Sequence, residues 1–338
     1  TCDETAAAVI TRGGRILGEC VATQEALHEQ FAGVVPEIAA RAHLERILPV
    51  IDTAMRQSGV APNTLTAIAV ATHPGLPGSL LVGLSAAKAL AWAWGKPLVG
   101  INHVQAHIYA CGIGRSTSVY PCVGFVVSGG HTSLYHCTTA IDWEYLGGTI
   151  DDAAGEAFDK VAVMLGLPFP GGPQLSRLAE SGDPNAIRFP RPLLDDTSRL
   201  DFSFSGLKTA VRYRIAGTGT ADWSSIELSQ SQRADIAAGF QQAVVDCLVG
   251  KAMLAWKTTG CKRLCVGGGV AANRMFRQQL QIACEARGIE WILADTALCT
   301  DNAVMGALAW ERLQRGECDP LDLDAQPGLM RPASRSRT

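Results

Sequence analysis

The stretch CVGFVVSGGHTSLYHCT, residues 122–138, joins two apolar runs through a short polar loop built on a glycine pair. Short runs rich in Val, Phe and Tyr and bounded by Gly and Ser read as strands, and a tight glycine loop turns one strand back on the next. The same pattern stands at the start of the chain. There AAAVIT, a turn at Arg12-Gly13-Gly14-Arg15 and then ILGECV predict a hairpin over residues 6–21. Each hairpin thus opens what reads as one of two related lobes. Between the hairpins, apolar residues recur at helical spacing over 36–58, LTAIAVAT (65–72) is strand-like, and PGLPGS is a loop. A helix over 79–94, a short strand in KPLVGIN and a helix opening at HVQAHIYAC follow. After the second hairpin, residues 150–260 read as mostly helical, with loops at 168–173 and at FSFSGLK (202–208). CKRLCVGGGVAANRMFRQQL then reads as strand, Gly-rich turn and helix, GIEWILAD as a strand, and CTDNAVMGALAWERL as a capped helix. Strands alternating with helices place the chain in the α/β class.

Bulk properties narrow the classes. The chain has 338 residues, 47% hydrophobic and 18% charged, which suits two lobes better than one domain. A net charge of −3 argues against a protein that grips nucleic acid over its whole surface. If RNA is a substrate, a local patch or a partner subunit must supply the positive charge. Eleven cysteines are scattered, and the nearest pair, Cys261 and Cys265, has CxxxC spacing, so neither a zinc knuckle nor a disulfide framework is written here. A reducing, cytoplasmic compartment is the expectation. No basic-then-apolar leader stands at the N-terminus, and the longest apolar stretch, SLLVGLSAAKALAWAW, contains Lys88 and is short of a membrane span. The sequence opens on TCDET, and a first β-strand is expected ahead of it.

Several motifs bear on chemistry. His103 and His107 in NHVQAHIYA are four apart, so on a helix they share a face and reach one metal ion. Two satisfied histidines would look the same, and a third ligand is needed to choose. Asp301 in CTDNA offers one, although Asp at a helix start is also an ordinary N-cap. Val104 stands where a zinc protease of the HExxH type carries its general base, which excludes that peptidase chemistry. GGGVAANR (267–274) and SGGHT (128–132) expose backbone N–H groups of the kind that cradle phosphate or carboxylate, with a tight turn as the plain alternative in each case. In DDAAGEAFDK (151–160), Asp152, Glu156 and Lys160 fall at i, i+4 spacing as on a solvated helix face. Gly155 within that helix costs about 1 kcal/mol relative to Ala, which asks for a reason such as a close approach.

Taken in order, TCDET, HVQAH, VVSGGHTSL, IDDAAGEAFDK, PGGP, FSFSGLKTA, GGGVAANR and CTDNA resemble the bacterial-type tRNA N6-adenosine threonylcarbamoyltransferases, a family once taken for glycoprotein endopeptidases. The resemblance spans about residues 1–315. It implies the actin/Hsp70/sugar-kinase (ASKHA) fold, with two duplicated RNase H-like lobes around a nucleotide cleft. On that template residues 1–118 form an N-terminal lobe completed by a C-terminal helix at 302–315. Residues 119–301 form the second lobe with a helical insertion at about 150–260, and 316–338 an irregular tail. It implies transfer of threonylcarbamoyl from threonylcarbamoyl-AMP to N6 of adenosine 37 in tRNAs that read codons beginning with A, with AMP released. It also implies one divalent metal ion per subunit, iron or zinc, on His103, His107 and Asp301. The adenylate is expected at Val126, Val127, Ser128, Gly129, Gly130, Asp159, Gly172 and Asn273, with Glu4 or Asp3 as the polar group near the reacting amine. Bacterial members work with a metal-free paralogous subunit and a small ATPase, which are the partners expected besides tRNA. Two other classes compete: an ATP-dependent small-molecule phosphotransferase of the same fold, which would not need the His-His-Asp set, and a non-catalytic paralogue, which would have lost it.

Overall fold

The structure, a computed structural model, describes residues 1–31, 33–217 and 226–328. It divides into two compact units. The first holds residues 1–120, 137–144 and 294 onward, and the second holds 121–136 and 145–293.

The first unit begins with the expected hairpin, β1 (Glu4–Ile10) antiparallel to β2 (Ile16–Thr23), in register from Glu4 opposite Thr23. A short turn of helix, α1 (Glu25–His28), leads to α2 (Pro36–Ser58), which starts on a proline, where a missing N–H costs nothing, and ends on Gly59 in the left-handed region. Strand β3 (Ile68–His73) lies parallel to β4 (Leu98–Asn102), and between them α3 (Pro77–Trp94) buries Leu80, Leu84, Ala87 and Ala91. Helix α4 (His103–Tyr109) follows β4 without a loop, because the Asn102 side chain accepts from the N–H groups of Val104 and Gln105. The tail is not loose up to residue 328. Asp319 bridges to Leu98 and accepts from Gly100 N–H at 2.7 Å, and Gln326 N–H donates to the Thr72 carbonyl. Of the final stretch MRPASRSRT, residues 330–338 lie outside the described residues.

The second unit is built on a five-stranded sheet in the order β7-β6-β5-β8-β9. Its strands are β5 (Cys122–Val127), β6 (Thr132–Cys137), β7 (Trp143–Gly148), β8 (Arg263–Gly267) and β9 (Glu290–Leu293). β5, β8 and β9 run parallel, and β5 is buried along its whole length, as a central strand must be. The helices are α5 (Ala154–Met164), α6 (Gly171–Ala179), α7 (Ser205–Ala216), α8 (Gln230–Thr259) and α9 (Arg274–Glu285). Phe125, Phe202 and Phe204 stack in series in the core of this unit.

Three expectations are corrected. β7 was not foreseen in WEYLGG. The segment between α6 and α7 is irregular rather than helical; Lys251, buried on α8, ties it down by donating to the carbonyls of Asp196 and Arg199. The single helix read over CTDNAVMGALAWERL is instead a 3-10 turn over Val304–Leu308 followed by α11 (Ala309–Gln314), and a short helix, α10 (Thr296–Cys299), ends on the first residue of the stretch.

Candidate functional site

In the first unit, α4 presents His103 and His107 on one face, with ring centroids 4.6 Å apart, and both are buried. The bend after α10 brings Asp301 to them. Its Oδ2 lies 3.3 Å from His103 Nε2 and its Oδ1 3.2 Å from His107 Nε2. One donor atom from each of the three residues falls within 4.8 Å of the other two. Asp301 is therefore not a helix cap. That task falls to its neighbour Asn302, whose side-chain oxygen accepts from Met305 N–H, leaving the Asp301 carboxylate for the imidazoles. Thr1 Oγ1, which the motif reading did not single out, donates to Asp301 Oδ2 at 3.0 Å. Both ring nitrogens of His107 are buried without a hydrogen-bond partner, since the approach to Asp301 is off the hydrogen-bond line. A buried nitrogen left without a partner is costly. A cation held by both imidazoles and the carboxylate would satisfy it. Two neutral nitrogens and one carboxylate are a donor set that suits a divalent transition ion with open positions.

Electrostatics agree with that geometry. Burial drives the His103 imidazole below its ordinary value, against the pull of Asp301, which favours the neutral ring that a metal site would need. Burial alone would raise Asp301, but the two histidines outweigh it and hold the carboxyl well below the usual range. Glu4, first residue of β1, is pushed up to about 9 by burial and then by Asp3 and Asp301. The groups expected near the reacting amine therefore sit beside the candidate metal ligands. Thr1, Glu4, His103 and Asp301 line a cavity of about 640 Å³ within the first unit, whose walls are mostly apolar side chains, many of them from β1, β3, α2 and α3.

In the second unit the residues expected to hold the adenylate are joined by a chain of contacts. Val126 pairs with Gly267 at the carboxyl ends of parallel β5 and β8, the place where open α/β sheets bind ligands. The loop after β8 presses on the end of β5. Gly268 has φ +96°, and a Cβ there would stand 2.4 Å from the Val127 carbonyl oxygen, so only glycine fits. The loop after β5 leans on α5: Gly155 N–H donates to the Ser128 carbonyl and Glu156 N–H to that of Gly129. Gly155 thus has its reason. A Cβ at 155 would meet Gly129 Cα and the Ser128 carbonyl oxygen at 2.7 Å, so the close approach is by this loop's own backbone. The helix also begins at Ala154, which puts Gly155 in the first turn rather than mid-helix and Asp152 ahead of the helix.

Asp152 does not stack over Glu156 as on a shared face. It bridges Lys160 at 2.8 Å and Lys208 of α7 at 2.7 Å. These lysines hold its carboxyl low although burial opposes them. Asp159, on α5, accepts from Gly171 and Gly172 N–H at 2.9 and 3.1 Å, which fixes the start of α6. Asn273 caps α9 through Phe276 N–H and donates to Ser176 of α6 and to Gln241 of α8. Ser176 and Gln241 were missed. Gln241, almost fully buried in the apolar run of α8, is the polar exception that signals such a role. Open space lies beside Gly129, Gly130 and Gly269. The unit thus carries a glycine-lined, backbone-rich surface at the carboxyl ends of its strands.

Residues 15–308 match the family model for tRNA N6-adenosine threonylcarbamoyltransferase. The chain belongs to that family. It is 59% identical to the tRNA N6-adenosine threonylcarbamoyltransferase of Rhodopirellula baltica, over 98% of this chain and 95% of that protein. It is 50% identical to that of Symbiobacterium thermophilum, with 97% and 94% covered, and 48% identical to that of Anaeromyxobacter dehalogenans strain 2CP-C, with 97% and 96% covered. Family membership makes the chain a transferase that places threonylcarbamoyl on N6 of adenosine in tRNA. Two solved structures share the fold. HypF from T. kodakarensis aligns with TM-score 0.58 at 15% identity, and full-length HypF in a phosphate- and nucleotide-bound form with 0.56 at 16%. This chain spans 48% and 42% of their lengths, 93% and 82% of its own residues being covered. The fold is that of the actin/Hsp70/sugar-kinase class, as expected. The phosphotransferase and non-catalytic alternatives give way to the transferase.

Proposed function

We propose that His103, His107 and Asp301 hold one divalent iron or zinc ion, and that Val126–Gly130, Asp159, Gly172 and Asn273 form the site for threonylcarbamoyl-AMP. The threonylcarbamoyl group passes to N6 of adenosine 37 in tRNAs reading codons that begin with A. The observation that carries this is the pair of unpartnered, buried nitrogens of His107 beside Asp301. Bound there, the ion would supply Lewis acidity and an anchor for donor oxygens.

The chain's own groups account for the rest. The acceptor is an exocyclic aromatic amine, a weak nucleophile, while the mixed carbamate–phosphate anhydride has a good leaving group. Rate must then come from positioning and from stabilising charge at the carbamoyl oxygen and phosphate. Open space lies beside Gly129 and Gly130, so a ligand can approach the backbone of this loop, which suits phosphate or carboxylate. Asp159 has one oxygen committed to Gly171 and Gly172, which orders the α6 start beside the adenylate. Glu4, whose carboxyl is pushed up to about 9 by burial and by Asp3 and Asp301, is the polar group near the amine, and a divalent ion beside Asp301 would pull it back down. The amine attacks the carbamoyl carbon, the C–O bond to phosphate breaks, AMP leaves, and the amine proton passes to solvent.

A metal-free paralogous subunit and a small ATPase are the proposed partners. Exposed Leu44 and Leu48 on α2 and Leu81 and Trp92 on α3 suit a helical partner surface. The two units are proposed as the two lobes of the family. No helix among the described residues is long and apolar enough to cross a membrane. Eleven scattered cysteines without a disulfide framework in their spacing support a cytoplasmic setting. The test is single-turnover transfer from threonylcarbamoyl-AMP to an unmodified tRNA transcript, with AMP and modified adenosine both measured. Equal yields of the two support the reading, and ADP formation from ATP without modified tRNA contradicts it.

A further inference from the structure

Tyr213 of α7 is 50% exposed and is flanked in sequence by exposed Arg212 and Arg214. Helix α7 buries Leu207, Val211 and Ile215, spaced four apart. Helical geometry then puts Thr209 and Tyr213 at the centre of the opposite face, with Arg212 and Arg214 on its flanks. The helix SGLKTAVRYRIA carries three cations and no carboxylate, in a chain with 32 acidic and 29 basic residues. Several arginines elsewhere are ion-paired, Arg191 with Asp246, Arg199 with Asp201, Arg263 with Glu290, Arg312 with Asp319 and Arg315 with Asp142, while others such as Arg12, Arg41 and Arg188 are exposed singly, away from a second cation and a ring on one helix. Arg212 and Arg214 form no ion pair among the described residues, which leaves two free guanidinium groups around a solvated ring.

This helix is tied to the loop that holds the donor in the proposed site. Asp151 accepts from Ser203 Oγ and from the N–H groups of Phe204 and Ser205, which fixes the α7 start. Asp152 next to it clasps Lys208 of α7 and Lys160 of α5, and α5 begins against Ser128 and Gly129. Arg212 to Arg214 stand roughly 10–14 Å along the helix from Ser205, at 1.5 Å per residue.

We infer that the face of α7 formed by Arg212, Tyr213 and Arg214 is a tRNA-binding surface. The guanidinium groups take backbone phosphates, for which planar paired donors are well suited, and Tyr213 stacks on an unpaired base. This supplies locally the positive charge that the acidic chain lacks overall. Only the placement beside the donor rests on the proposed adenylate site; the partner itself is the family's substrate.

The test measures binding of an unmodified tRNA transcript to the full chain, alone and with the subunits needed for activity, across a salt series, with AMP binding measured in parallel. The Arg212→Ala/Arg214→Ala variant should bind tRNA about tenfold or more weakly near 0.15 M salt, with the slope of log affinity against log salt reduced by about two. Arg212→Lys/Arg214→Lys should recover most of the affinity. Tyr213→Ala should weaken binding several-fold and Tyr213→Phe should not, because phenylalanine keeps the stacking face. Lys257→Ala/Arg287→Ala removes the same charge from α8 and from the end of α9, and should change little. Unchanged affinity and slope in the α7 double variant would overturn the proposal, as would equal losses in the α8/α9 control. Loss of AMP binding in the wild type, with tRNA binding still dependent on Arg212 and Arg214, would sink the adenylate site and leave the tRNA surface standing.

Discussion

His107 is fully buried, both its ring nitrogens lack hydrogen bonds, and a carboxylate stands 3.2 Å away. Removing it should empty the site. His107→Ala should lower bound iron or zinc from about one per chain to near none, as expected when one of three ligands is lost, read by elemental analysis of the folded protein. Full metal content in the variant would mean that the histidines are structural. Gly155 makes a second test. A methyl there would press on Gly129 and Ser128 at 2.7 Å, so Gly155→Ala should cost about 1–3 kcal/mol by overpacking and weaken AMP binding through the displaced loop. Urea midpoints and AMP titrations check both. Residue spacing by itself left Asp301 open between ligand and cap, and only the family resemblance pointed to the ligand role. Thr300, Asp301 and Asn302 are all capping residue types, and which side chain turns back to cap depends on backbone that motif spacing does not reveal. For the same reason the engagement of Asn273 with Ser176 and Gln241 was invisible, since those partners are distant in the chain.

Among the elements, the strongly periodic ones were legible. The 6–21 hairpin, the helix at 36–58 and the strand–turn–helix read over 261–280 came from apolar spacing and glycine punctuation. β7 was hidden because WEYLGG lacks alternation and ends in glycines; it is a strand because β6 offers it an edge. The packing of α2 on β1 carries a pH prediction. His43 is buried, its Nε2–H donating to the Cys2 carbonyl while Nδ1 accepts from Thr5. Burial holds its pKa below the ordinary 6.5. The folded state therefore binds fewer protons than the unfolded state, and stability contributed here is complete above pH 6.5 and falls as pH drops below it. His43→Gln should remove this dependence, so the stability gap between wild type and variant should shrink as pH falls below 6.5, measured by urea unfolding. On α8, Lys251→Met should leave the Asp196 and Arg199 carbonyls without their donor, costing about 1–3 kcal/mol and loosening the segment before α7. Hydrogen exchange in residues 194–200 would report it.

Across the chain as a whole, eight short motifs in order carried the resemblance to the family, and the family model matches residues 15–308. Three of them supply the His103, His107, Asp301 and Glu4 cluster of the first unit. Others supply the linked loops of the second. What the motifs left unread was supporting chemistry: the Asp152 bridge to Lys208, the Thr1 contact, the pinned tail at Asp319 and the solvated arginines of α7. Such contacts join residues far apart in sequence, and no local pattern announces them. The central claim is that this chain, carrying a metal on His103, His107 and Asp301, transfers threonylcarbamoyl to tRNA. The most direct measurement gives wild type and His103→Ala/His107→Ala, each with partner subunits, the donor threonylcarbamoyl-AMP and unmodified tRNA, and counts modified adenosine against bound metal. The account predicts modified adenosine from the metal-bearing wild type and almost none from the folded, metal-free variant. No product from a folded, metal-loaded wild type, or full activity in the variant, would contradict it.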